Sequence, residues 1–131
     1  MKYLQTLGRI LFCVPLLGFG IGHFTKAGII AFMAPFGGTI LIYLAGVFLL
    51  LAGISLLLEK FTFWSMILCG CFLLLTAFLV QMRTMLHASD PLIRIMCEVS
   101  MIKDFGLAGG AFFIAGFYAK KNKKETDGIT V

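Results

Sequence analysis

The chain has 131 residues, is 60% hydrophobic with a mean hydropathy of +1.03, and carries a formal net charge of +5. Those values exclude a soluble globular domain: too few polar residues remain to cover the apolar ones, and several uncharged runs match a bilayer crossing in length. The positive balance does not point to nucleic acid, because four of the eleven basic residues sit in the tail KKNKK, where they set topology and meet lipid headgroups.

The first predicted span covers about residues 5–24. Its basic start (Lys2, Arg9) and apolar run resemble a signal peptide, but no small-x-small cleavage site follows, so an uncleaved helix is expected. Pro15 lies inside it, and Gly18 and Gly22 form a GxxxG that suits close helix approach. Arg9 and His23 fall near one face, at opposite ends of the span. Residues 25–37 are apolar but broken by Pro35, Gly37 and the adjoining Gly38, which predicts an interfacial or partly inserted segment.

The second span is expected over about 38–58. Ala45–Gly46 and Ala52–Gly53 recur seven residues apart as a small-residue stripe. Glu59 and Lys60 form a short turn, so the third span, about 61–82, makes an antiparallel hairpin with the second, with Trp64 as its interface anchor. Residues 83–97 mix charges with Leu, Ile and Met around Asp90–Pro91 and predict a surface loop or short amphipathic helix.

The fourth span, about 99–119, carries Lys103 and Asp104 at its start. Phe105 to Ala119 alone reach only roughly 22 Å against a hydrocarbon core of about 30 Å, so the span has to include both charges. Asp104, Ala108, Ala111 and Ala115 share one face, and Lys103, Gly106, Gly110, Phe113 and Phe117 a neighbouring one. Both charges are thus expected to point into a bundle. Residues 120–131 read as a polar basic tail. The whole is an all-α integral membrane protein, one four-helix domain over residues 1–119.

Basic residues set the orientation. Lys2, Arg9, Lys60, Lys120, Lys121, Lys123 and Lys124 fall on the side of the termini; Lys26, Arg83, Arg94 and Lys103 fall on the other. The bias places both termini in the cytoplasm. His23, His87, Lys103 and Asp104 then gather at the outer edge, where three hydrophobic elements each bring a titratable group. Ionisable groups at membrane depth mark function by default, and an Asp104–His23 pair, or Asp104 with Lys103 through water, is the expected arrangement. The competing reading leaves Lys103 and Asp104 to neutralise each other and both imidazoles in headgroups; Arg9 reads first as a snorkelling anchor.

No metal site is expected from two histidines and the cysteines Cys13, Cys69, Cys71 and Cys97, which lack ligand spacing. Three of those cysteines are read as apolar fillers and Cys97 as the redox-exposed thiol. No nucleophilic triad or phosphate-cradling loop occurs.

The succession GRILFCVPLLGFGIGHF, APFGG, YLAGVFLLLAGISLLL and MIKDFGLAGGAFFIAG resembles the DoxX-like family of small bacterial four-helix membrane proteins over roughly residues 5–117. The resemblance implies a multi-pass protein of the bacterial cytoplasmic membrane. It further implies a non-catalytic membrane subunit of an oxidoreductase assembly that binds a quinone or other small molecule at the periplasmic side and holds a soluble redox enzyme. His23, Asp104, Lys103, His87 and Arg9 are the candidate ligand contacts; no covalently bound cofactor is implied. The alternative is a scaffold or small-solute handling homo-oligomer without a redox role.

Overall fold

The computed structural model describes residues 2–33 and 38–129. Four helices in it are long and apolar enough to cross a membrane. Helix α1 spans Lys2–Thr25, α2 Ala27–Met33, α3 Gly38–Leu58 and α4 Thr62–Thr76. A π-helical segment over Ala77–Met82 leads into α5, Arg83–His87, and α6 runs from Pro91 to Ile129. The protein is a multi-pass membrane bundle, and no strand occurs among the described residues.

The bundle is two tightly packed pairs, α1 with α3 and α4 with α6, joined through the α3–α4 turn. Small residues allow the first pair to close. A Cβ on Gly46 would lie 2.9 Å from the Cβ of His23 and 3.1 Å from the Gly20 carbonyl oxygen, and one on Gly53 would meet Leu17 at 2.8 Å. The stripe read on the second span therefore faces α1. The GxxxG does not: Gly18 and Gly22 open onto free space, and it is Gly20 between them that packs, against Leu50. Gly18 and Gly22 belong to the outer face of α1, 200° of helical turn away from Gly20.

The second pair meets along the alanine face of α6. Ala108, Ala111 and Ala115 are buried together with Asp104, against Met66, Cys69 and Leu73 of α4. The neighbouring stripe departs from expectation. Gly106 has open space around it and Phe113 is 80% exposed, so only Gly110 of that face is tight, against Phe12. Large apolar side chains such as Leu51, Leu68 and Ile102 are exposed on the outside, the surface that acyl chains cover.

One expectation about the connections is corrected. Residues 83–97 are neither a surface loop nor a separate amphipathic helix. Residues 83–87 continue the third crossing, and the fourth begins at Pro91. The cause is legible in the cap: Asp90 Oδ1 accepts the Leu92 amide at 2.8 Å, and proline at the first helical position has no N–H to leave unpaired. The tail is helical as far as Ile129. Residues 34–37, which hold the expected break at Pro35 and Gly37, lie outside the described residues.

The α3–α4 turn is held in a demanding conformation. Glu59 and Phe61 have φ of 55° and 56°. Ser55 fixes them, donating its hydroxyl to the Lys60 carbonyl while its own carbonyl accepts the Lys60 amide at 3.2 Å and the Thr62 hydroxyl at 3.4 Å.

Candidate functional site

The polar cluster forms on the α4/α6 side of the bundle, around Asp104. Asp104 lies thirteen residues, roughly 20 Å of helix, from the start of α6 at Pro91. Its residue is only 5% exposed. A carboxylate at such depth requires partners, and two are present. Gln81 donates its Nε2 to Asp104 Oδ2, and the Lys103 ammonium stands 3.3 Å from Oδ1.

Gln81 is the functional candidate that sequence reasoning missed. It sits near the end of the third crossing, two residues before Arg83 and inside the span expected over 61–82. On the 100° step of an α-helix Gln81 falls about 40° from buried Ala77 and about 20° from buried Gly70, and the π-helical segment over Ala77–Met82 keeps it on that face. The signal was available in type as well, as the one amide side chain in an otherwise apolar run from Phe61 to Met82. Its other amide atom, Oε1, is buried without a hydrogen-bond partner among the described residues.

Lys103 is half-buried and bridges to the first helix pair, its Nζ 3.8 Å from the centroid of the Phe19 ring. The face of an aromatic ring attracts a cation most strongly where water is scarce. Phe19 also serves His23: the imidazole donates Nδ1–H to the Phe19 carbonyl at 2.7 Å. That bond leaves Nε2 as the acceptor of the neutral ring. The expected Asp104–His23 pair is thus corrected. Asp104 takes Gln81 and Lys103 directly, and His23 turns to its own helix, against Gly46. One aromatic residue separates the two groups.

The remaining candidates lie elsewhere. His87 is exposed and bonds back to the Arg83 carbonyl at 2.9 Å, outside the cluster. Arg9 is at the opposite end, in an ion pair with Glu59, whose other oxygen takes Lys121 at 3.2 Å. Arg9 is therefore a structural tie between α1, the α3–α4 turn and α6, not a snorkelling anchor. A groove of about 300 Å³ beside this tie is lined by Glu59, Thr62, Trp64, Tyr118 and Asn122 among others. Cys97, read as the exposed thiol, is buried, as are Cys13 and Cys69; Cys71 is the exposed one. Among the described residues no group of three or more His, Cys, Asp or Glu could hold a metal ion.

Four crossing helices around a buried acid–amide–ammonium cluster define a small multi-pass membrane protein with a polar site inside its bundle. The family model for DoxX matches residues 4–82, and the chain belongs to the DoxX family. The matched stretch takes in Phe19, His23 and Gln81, while Lys103 and Asp104 lie beyond it. No curated protein and no solved structure matches the chain.

Proposed function

We propose that this DoxX-family chain is a non-catalytic membrane subunit of an oxidoreductase assembly, one that offers a polar contact inside its bundle to the headgroup of a quinone or a similar small molecule. The observation that carries the reading is the buried Asp104 with Gln81 and Lys103 around it. An intramembrane carboxylate costs free energy that an alanine at the same place would not, and such groups persist where they bind or move something. The orphaned Gln81 Oε1 supports the reading, because a buried acceptor left without a donor costs about 1–3 kcal/mol. A bound headgroup that carries an O–H or N–H donor offsets that cost. Asp104 and Gln81 would orient the headgroup, and Lys103 would balance the carboxylate. On the charge bias of the loops this half of the bundle faces the periplasm, with both termini cytoplasmic and a soluble redox enzyme as the catalytic partner.

The test is to purify the protein from native membranes and extract its lipids. A quinone enriched over the bulk membrane, and lost with Asp104→Asn, is the expected result. Bulk quinone content in both preparations overturns the reading.

A second reading, a homo-oligomeric scaffold, is favoured by one observation: Gly18 and Gly22 present an open small-residue face on the outside of α1. Native mass spectrometry of the wild type and of Gly18→Leu tests it; a monomer in both rejects the scaffold.

A further inference from the structure

The hydrogen-bond accounting of the Asp104 cluster narrows the ligand class, on the assumption that the cluster is the ligand site proposed above. Asp104 accepts at both oxygens, from Gln81 at Oδ2 and from Lys103 at Oδ1. Because the carboxylate accepts, the Gln81 amide has to turn its NH₂ group towards it, which directs the carbonyl branch elsewhere. That carbonyl oxygen, Oε1, is buried and has no hydrogen-bond partner among the described residues. The cluster's ammonium faces the carboxylate and the ring of Phe19, and none of its three N–H donors reaches Oε1. His23 spends its Nδ1–H on the Phe19 carbonyl. What the site lacks is a donor.

We infer that the ligand of this site presents an O–H or N–H donor to Gln81 Oε1, so that a hydroxyl-bearing headgroup, such as a hydroquinone, is bound in preference to a headgroup that carries acceptors alone. A quinone carbonyl facing Oε1 would set two acceptors against each other; a phenolic hydroxyl supplies the missing hydrogen. Gln81 is then a specificity-determining residue, with Asp104 as the residue that fixes which way its amide points. No electron or proton changes hands in this step. It is selective binding, and it applies equally to any apolar molecule with one hydroxyl or amine at its polar end.

Three probes of one shape separate the possibilities: a decyl-substituted hydroquinone, its dimethyl ether and the corresponding quinone. Their binding to the full-length protein in nanodiscs is measured by calorimetry under anaerobic conditions. The hydroquinone is expected to bind about tenfold more tightly than the ether, the scale of one hydrogen bond. That ratio should fall to near one in Gln81→Leu. Gln81→Lys is the second variant, since it keeps a donor for Asp104 while deleting the acceptor; it too should abolish the discrimination. Quinone or ether binding as tightly as hydroquinone in the wild type overturns the inference and leaves the proposed ligand site standing. So does a hydroquinone preference that survives both variants. Failure of all three probes to bind removes the ligand site itself, and the inference with it.

Discussion

The ammonium of Lys103 lies 3.8 Å from the centre of the Phe19 ring, on a helix of the other packed pair. This contact ties the Asp104 cluster to α1. A cation held over an aromatic face away from water is stabilised by up to about 2 kcal/mol. In a double-mutant cycle of Phe19→Leu and Lys103→Met, thermal unfolding in detergent should show a coupling of about 0.5–2 kcal/mol. Additive losses would mean that Phe19 acts only through its bulk.

Asp104 should be more sensitive than either partner. Asp104→Leu leaves the Lys103 ammonium and the Gln81 amide inside the bundle without their acceptor, which should cost about 3–5 kcal/mol, whereas Gln81→Leu removes one neutral donor and should cost about 1–2 kcal/mol. Denaturation of both variants in mixed micelles gives the comparison. Equal losses would show that the carboxylate is not the hub of the cluster.

Glycines separate into two classes by what surrounds them. Gly46→Ala drives a methyl group to 2.9 Å from the His23 Cβ and should destabilise by about 1–3 kcal/mol. Gly109→Ala enters open space on α6 and should be neutral or stabilising by about 0.5–1 kcal/mol through helix propensity. If both substitutions act alike in unfolding assays, the α1–α3 contact is not as close as described.

The spans and the buried face of Asp104 were legible because they rest on length and on the 100° step of an α-helix, and both hold through most of the chain. Ala108, Ala111 and Ala115 fall where that step puts them. Gln81 was legible by the same step, about 40° from buried Ala77, and was missed because a lone amide near the end of a span was not weighed as a partner for Asp104. His23 failed for a different reason: it shares an end of the bundle with the fourth span, but its nearest acceptor is its own backbone four residues back. A local bond of that kind outcompetes a distant carboxylate. The start of α6 was readable from Asp90–Pro91, but the charges of Arg83 and Arg94 on either side pointed to a loop. Glycine choice between 18, 20 and 22 depends on which face α3 approaches, and composition does not carry that.

The cysteines give a further check. Cys71 is exposed on α4, in the middle of an apolar span, while Cys13, Cys69 and Cys97 are buried. A lipid-soluble maleimide should label one thiol in intact membranes, and a charged, water-soluble one should label none at the same rate. Loss of the label in Cys71→Ser confirms the assignment. Labelling of Cys97 first would contradict its burial.

At the other end, Glu59 holds Arg9 and Lys121 at once, so Glu59→Gln loosens α1 and α6 together. Partial exposure limits the effect to about 1 kcal/mol, and it should shrink as salt rises. A loss that does not change between low salt and about 1 M salt would assign the effect to the turn backbone instead.

Helix α6, 39 residues from Pro91 to Ile129, has a length that the bilayer cannot contain. At about 1.5 Å per residue it reaches nearly 60 Å, against about 40–45 Å for a membrane with its headgroups. More than a dozen ångströms must therefore stand clear of the lipid unless the rod leans steeply, and the part that stands clear begins with the lysines after Ala119. A soluble body approaching that surface touches this post before it touches the membrane.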